Sequence, residues 1–138
     1  MTHAALIARE LASMETHVGE LKRLARLDQI DSDVREERFV LHTLQLAAQR
    51  TLDVASHVVS AERLGEPRAN DDLIRFLARE GWLPGELATS LVNIVRARNS
   101  IVFNYATVDL SIVREIVEDH LDDLLDFARF IRAKMEED

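Results

Sequence analysis

Apolar residues recur at spacings of three and four along the chain, which is the spacing of an amphipathic helix. The first run predicts a helix from about Ala4 to Leu27, with apolar positions Ile7, Leu11, Met14, Val18, Leu21 and Ala25. The second run predicts a longer helix that ends near Glu62, with apolar positions Val40 or Leu41, Leu44, Ala48, Leu52, Ala55 and Val59. Each run gives a helix with one face for a core.

Turn and capping residues separate these runs. Asp33 and Glu36 have the spacing of a capping box at the start of the second helix, and Gly65 and Pro67 follow its end. Asn70 and Asp71 can cap a short third helix. The predicted elements of the second half are three helices. The short helix runs from Asp72 to Arg79, and the fourth helix runs from Pro84 to about Asn104 with the apolar residues Leu87, Leu91, Ile94 and Val95. The fifth helix is capped by Asp109 and has the apolar face Leu110, Val113, Val117, Leu121, Leu124, Ala128 and Ile131.

No alternation typical of strands competes with these helices, so the pattern predicts an all-α fold. Four long helices and one short helix are expected to form an up-and-down bundle. The length of 138 residues, with 47% hydrophobic and 30% charged residues, is typical of one globular domain over residues 1–138.

The chain contains no cysteine, which excludes a disulfide, a thiolate nucleophile and a cysteine-based zinc site. Residues 1–10 lack a continuous apolar core, so no signal peptide is expected, and no apolar run is long enough to span a bilayer. These features favour a cytoplasmic protein.

The formal net charge of −8 argues against broad electrostatic binding to nucleic acid. Most of the acidic excess lies in residues 109–138, so a local basic cleft elsewhere stays possible. Lys22, Arg23 and Arg26 form a basic cluster on the first helix. This cluster is either a solvated face, which is the ordinary case, or a patch for an RNA backbone or an acidic partner.

Residues 96–109 carry the candidate chemistry. Arg98 and Asn99 lie near the end of the fourth helix, Phe103 follows on the face of Asn99, and Tyr105 falls where helix backbone groups become free. An Arg-Asn pair followed by a tyrosine could line a polar cleft. A solvated arginine and a capping asparagine are the simpler interpretation of the same residues.

This segment resembles the HepT toxins of the HEPN superfamily. Their pattern is Arg-Asn, three mostly apolar residues, His, one residue and Tyr, and this chain has Arg98-Asn99, Ser-Ile-Val, Phe103, Asn104 and Tyr105. The segments 46–57, 64–67 and 73–87 are also similar to the family, so that the resemblance covers about 100 residues from residue 38 onward.

The resemblance implies a metal-independent endoribonuclease without a cofactor. It implies a homodimer in which Arg98 and the motif histidine position of two subunits line one cleft, with Arg98 binding phosphate and Asn99 orienting or capping beside it. It also implies an MntA-type nucleotidyltransferase antitoxin as partner, which silences such toxins by transferring a nucleotide to the tyrosine, here Tyr105.

Phe103 departs from the motif. A phenyl ring has nearly the volume of an imidazole but cannot accept or donate a proton, so we expect weak or absent RNA cleavage. The phenylalanine is either a natural divergence or a change introduced into a toxic protein, and the otherwise intact motif favours the second explanation.

Asp53 and His57 lie four residues apart on the second helix. This spacing suits a metal pair, a helical hydrogen bond or a polar seam, of which the seam is the ordinary case. The family resemblance adds them as candidates for the lining of the cleft, with no metal implied.

Two other functions fit the same residues. A non-catalytic HEPN module would bind a nucleotide or RNA, or dock a nucleotidyltransferase, and a natural Phe103 would favour it. A purely structural helical partner is the third possibility, against which the retained Arg98, Asn99 and Tyr105 count.

Overall fold

The computed structural model describes residues 3–137, which contain helices and turns but no strand. The six α-helices are α1 (His3–Leu24), α2 (Val34–Ala61), α3 (Asn70–Arg79), α4 (Gly85–Phe103), α5 (Leu110–Asp119) and α6 (Leu121–Glu136). Short 3-10 turns lie at Leu27–Gln29 and Tyr105–Thr107. The all-α prediction is therefore confirmed.

Long-range ion pairs show how α1 packs between two antiparallel neighbours. Glu10 of α1 lies 3.4 Å from Arg50 of α2. On the other side, Lys22 pairs with Asp122 near the start of α6. Later on α6 and earlier on α1, the guanidinium of Arg132 donates two hydrogen bonds, of 2.7 and 2.8 Å, to the carboxylate of Glu15.

Helices α3 and α4 form a second antiparallel pair. The start of α3 contacts the later part of α4 through Asn70 with Asn99, and through Asp71 with Arg96, whose Nε lies 3.2 Å from the carboxylate. This packing brings polar side chains from α3 next to the Arg-Asn pair of α4.

Buried apolar side chains from all six helices form one core. The apolar helix faces predicted from the sequence contribute to this core, because Leu11, Leu44, Leu91 and Leu124 are all fully buried. Burial of one such side chain contributes about 1.5–3 kcal/mol, so the core orients each helix about its axis and decides which polar residues face the surface.

The predicted fifth helix is interrupted at His120, which separates α5 from α6. The backbone of His120 has φ −126° and ψ 5°, outside the helical range. Its ring Nδ1 lies 3.0 Å from Asp123 Oδ2, and the same carboxylate oxygen accepts a hydrogen bond from Ser90 of α4. A tertiary contact at the break thus accompanies the change of helix direction.

The capping predictions are confirmed only in part: Asp33 caps α2 by accepting a hydrogen bond of 2.8 Å from the Arg35 backbone N–H. Glu36 does not close a capping box with Asp33, because its carboxylate accepts a hydrogen bond of 2.7 Å from the backbone N–H of Arg26. Helix α3 is preceded by Ala69 rather than capped by Asn70 or Asp71, and Asp72 accepts the backbone N–H groups there. For Glu36 the donor lies in the turn after α1, whereas the side chains of Asn70 and Asp71 contact Asn99 and Arg96 of α4 instead.

One further helix boundary differs slightly from the prediction, and another agrees with it. Helix α1 ends at Leu24 rather than Leu27, where a 3-10 turn begins, while Asp109 caps α5 as predicted through a hydrogen bond from the Ser111 backbone. Among residues 3–137, no helix is both long and apolar enough to cross a bilayer.

Candidate active site

Arg98 is held in a partly buried position by two neutral side chains. Its Nη1 donates a hydrogen bond of 2.9 Å to Asn99 Oδ1, and its Nη2 donates to Gln49 Oε1 of α2. Arg98 Nε is buried and has no hydrogen-bond partner within residues 3–137. The guanidinium therefore has a defined orientation, and only two of its five N–H groups are hydrogen-bonded in the described part of the chain.

Gln49 connects Arg98 to a charged cluster on α1 and α2. Gln49 Nε2 donates a hydrogen bond of 2.8 Å to Asp53 Oδ1, and Arg50 Nη1 lies 3.2 Å from the other oxygen of Asp53. Arg50 is also paired with Glu10. Asp53, a candidate from the sequence, thus reaches Arg98 through Gln49 and not directly.

Asn99 is the second support of the guanidinium. Its Oδ1 accepts from Arg98 and also from Asn70 Nδ2, at 3.3 Å. Side chains from α2, α3 and α4 therefore meet around Arg98. Neither Gln49 nor Asn70 was singled out as a site residue from the sequence. Gln49 lies four residues before Asp53 on one helical face, which was the available signal.

Arg98 is partly buried and its side chain has no carboxylate contact, whereas the other arginines of residues 3–137 whose side chains lack such a contact are exposed. In residues 3–137, seven other arginines have side-chain contacts with carboxylates, namely Arg50, Arg75, Arg79, Arg96, Arg114, Arg129 and Arg132. Arg98 instead donates only to neutral amide oxygens. Its positive charge is not compensated by a directly bonded carboxylate, which suits an anionic ligand.

Phe103 and Tyr105 lie on the surface beyond this network. The side chain of Phe103 is 73% exposed and that of Tyr105 is 43% exposed. No hydrogen bond, ion pair or ring contact joins either residue to Arg98 in the described part of the chain. Val102 is also 38% exposed, so the end of α4 and the turn after it present several apolar side chains to solvent.

His57 lies apart from the Arg98 network. Its ring faces the ring of His3, with the two centroids 6.2 Å apart, and no hydrogen bond connects it to Asp53 within residues 3–137. The described residues also contain no group of three or more His, Cys, Asp or Glu arranged to hold a metal ion.

A groove of about 560 Å³ runs between α4 and α5, outside the predicted site. Its floor is apolar and includes Ile94, Ile112 and Ile116, while Ser90 and His120 lie at one end. At the other end, the pKa of Asp109 is lowered, because the Ser111 hydroxyl and backbone N–H donate to its carboxylate. Ile112 is 48% exposed in this groove.

The helical bundle and the hydrogen-bonded Arg-Asn pair at the end of α4 define an all-helical protein with an arginine suited to an anion. Comparison with known proteins narrows this class. Residues 14–131 match the family described as Ribonuclease HepT-like, so the chain belongs to that family. The predicted family and the predicted ribonuclease class are thereby confirmed.

Similar proteins agree with this assignment. The chain is 29% identical over 106 residues to the mRNA nuclease HepT of Shewanella oneidensis. The aligned region covers 77% of this chain and 80% of the relative. It is 26% identical, with a TM-score of 0.84, to the tri-AMPylated HEPN toxin of Shewanella oneidensis, solved in complex with MNT antitoxin. That comparison covers 92% of this chain and 96% of the toxin.

Two further solved structures have the same fold. A toxin–antitoxin structure with AMP-PNP contains a chain that is 25% identical, with a TM-score of 0.87 over 94% of this chain and 98% of the other. The cytosolic protein YutE of Bacillus subtilis has a TM-score of 0.88, with 97% and 91% of the two chains covered. At 18% identity, YutE supports the fold alone.

Proposed function

We propose that this chain is the toxin of a toxin–antitoxin pair, an endoribonuclease that binds the scissile phosphate through Arg98 and whose cleavage is impaired by Phe103. One observation carries the proposal: Arg98 is held only by the neutral amide oxygens of Asn99 and Gln49, which leave its charge unpaired and further N–H groups of its guanidinium unbonded. A guanidinium in this state can bind a phosphate through charge-assisted hydrogen bonds.

The proposed reaction begins with attack of a ribose 2′-oxygen on the adjacent phosphorus. The new P–O2′ bond forms, the P–O5′ bond breaks, the 2′-hydroxyl loses a proton and the leaving 5′-oxygen gains one. Arg98 stabilises the negative charge that builds on the phosphorane. Phe103 occupies the motif position of the proton-transferring group, and loss of such a group lowers a rate by about 10²–10⁴-fold.

The direct test replaces Phe103 with histidine and measures cleavage of a labelled RNA. We expect Phe103→His to cleave at least about 10²-fold faster than the unmodified chain. Adding Arg98→Ala to this variant should abolish the gain. Phe103→Leu is the matched control, because it changes the ring without adding a proton carrier. Cleavage by Phe103→Leu, or none by Phe103→His, contradicts the proposal.

A second candidate function is RNA binding without cleavage. The 73% exposure of Phe103 favours it, because an exposed aromatic ring is a platform on which a base can stack. An inactive Phe103→His variant that still binds RNA, together with weaker binding by Phe103→Ala, would support this function over the first.

The proposed toxin acts as a homodimer, and we place the contact with the second copy over the α4–α5 groove and the exposed end of α4. The apolar side chains of Ile112 and Phe103 support this placement. Ile112→Arg should therefore yield monomers in analytical ultracentrifugation. The control Val34→Arg changes a side chain that is 59% exposed at the α1–α2 turn, and it should leave the dimer intact.

The proposed partner is an MntA-type nucleotidyltransferase antitoxin that modifies Tyr105 in the cytoplasm. Tyr105 is 43% exposed and is the only tyrosine in the chain. Incubation with such an enzyme and ATP should add nucleotidyl groups that mass spectrometry localises to Tyr105, and Tyr105→Phe should remain unmodified. A modification that persists in Tyr105→Phe contradicts this assignment.

A further inference from the structure

The side-chain amide of Gln49 bridges two charged groups in an orientation that chemistry dictates. Arg98 can only donate hydrogen bonds and the ionised carboxylate of Asp53 can only accept them. Gln49 must therefore direct its oxygen at Arg98 and its nitrogen at Asp53, as observed. The usual ambiguity between the oxygen and nitrogen of a glutamine does not arise here.

Asp53 is itself held in place by charge. Arg50 lies 3.2 Å from Asp53 and 3.4 Å from Glu10 of α1. The negative charge of Asp53 is thereby shared with Arg50 and stays one side chain away from Arg98. Gln49 lies between Asp53 and Arg98 and, through its two hydrogen bonds, holds the guanidinium in place. It does so without placing a carboxylate against the guanidinium.

We propose that Gln49 is a positioning residue that fixes the Arg98 guanidinium while leaving its charge available for an RNA phosphate. This inference rests on the proposed function, because it takes the phosphodiester as the anion. A carboxylate at position 49 would hold the guanidinium equally well and would neutralise it. The uncharged amide is therefore the feature that matters at this position.

The test measures binding of a fluorescein-labelled 2′-O-methyl oligoribonucleotide, which cannot be cleaved, over a range of salt concentrations. Each phosphate contact made by a cation adds about 0.7 to the slope of log affinity against log salt for a single strand. Gln49→Glu should weaken binding by about 10-fold and should lower the slope by about 0.7. Arg98→Ala should lower the slope by the same amount.

The variant Gln49→Met separates the positioning of Arg98 from the neutralisation of its charge. Methionine has a similar length but no amide, so Arg98 keeps its charge and loses its support. We expect weaker binding with an unchanged slope. Gln45→Glu is the matched control, because it adds the same charge one turn earlier on α2, where Gln45 has no hydrogen bond to Arg98. It should alter neither slope nor affinity beyond about 2-fold.

A carboxylate introduced at position 49 would repel the carboxylate of Asp53, and this repulsion could unfold the chain. A second variant therefore removes the repulsion, so that the salt dependence can still be measured on a folded protein. In the double variant Gln49→Glu with Asp53→Asn, the asparagine amide can donate to the introduced carboxylate in place of the present hydrogen bond. This double variant should fold and show the same lowered slope. A purely structural role for Gln49 predicts instead that folded variants keep the original slope.

The outcomes distinguish this inference from the proposed function. If Arg98→Ala leaves the slope unchanged, the phosphate contact itself is absent and both proposals fail. If Arg98→Ala lowers the slope but the folded Gln49→Glu variants do not, the inference about Gln49 fails alone. Because binding is measured, neither result depends on whether Phe103 impairs cleavage.

Discussion

The side-chain amide of Asn70 donates a hydrogen bond of 3.3 Å to Asn99 Oδ1, across 29 residues of sequence. Asn99 Oδ1 also accepts from Arg98, so this contact ties the start of α3 to the candidate site. One short helix that supplies no motif residue is thus connected directly to the Arg-Asn pair.

Removal of this contact should have a small, measurable cost. We expect Asn70→Ala to lower the free energy of unfolding by about 0.5–1.5 kcal/mol, the usual value of one net hydrogen bond. Urea titration of Ser60→Ala provides the control, because Ser60 is exposed on α2. Equal losses in the two variants would show that the Asn70–Asn99 contact contributes nothing to stability.

Two phenylalanines of the chain should respond in opposite ways to truncation. Phe103→Ala should change the free energy of unfolding by less than about 0.5 kcal/mol, because its ring is mostly in solvent. Phe127→Ala should lower it by about 3–5 kcal/mol, because Phe127 is fully buried and the change leaves a cavity. A large loss on truncation of Phe103 would mean that its ring packs against the fold.

The ion pair between Glu15 and Arg132 should make stability depend on pH. The hydrogen bonds from the Arg132 guanidinium lower the pKa of Glu15 below its ordinary value of 4.5, against a smaller opposing effect of burial. Since the folded-state pKa is the lower one, the stabilisation is fully present above pH 4.5 and is lost as the pH falls through the folded pKa.

Denaturant titrations at neutral and acidic pH test this ion pair. Because both side chains are partly exposed, its contribution at neutral pH should be only about 0.5–1 kcal/mol. Glu15→Gln should remove that contribution and flatten the acid dependence, whereas Glu62→Gln at an exposed position should do neither. An unchanged acid dependence in Glu15→Gln would exclude this pair as a cause.

Glycine is required at position 65 for two reasons. Its φ is +153°, and a Cβ atom there would lie 2.9 Å from the ring of Phe76. Gly65→Ala should therefore cost about 1–3 kcal/mol of folding free energy. Gly81→Ala is the comparison, because Gly81 has φ +82° but open space around it, so it should cost less. Thermal unfolding of both variants decides the order.

Helix positions were largely predictable from the sequence because helical periodicity is a local property. Apolar residues three and four apart must share one face of a helix, and that face must be buried for the chain to fold. Leu11, Leu44 and Leu91 are fully buried, as their spacing indicated. Arg98 and Asn99 were likewise identified from a contiguous segment, without knowledge of their neighbours.

The break at His120 could not be predicted from this periodicity. The apolar spacing continues from Val117 to Leu121 and Leu124, as it would in an unbroken helix. The hydrogen bond from Ser90 to Asp123 requires that α4 packs nearby, because Ser90 lies on that helix. A local pattern contains no information about that neighbour.

The partners of Arg98 were also decided by tertiary structure alone. The sequence by itself determined the helices, the family motif and the arginine. Packing of α2 against α4 then brought Gln49, 49 residues away, onto its guanidinium, while His57 came to face His3 instead. Such contacts depend on how each helix is rotated about its axis, and that rotation is the sum of all core contacts rather than a property of any one segment.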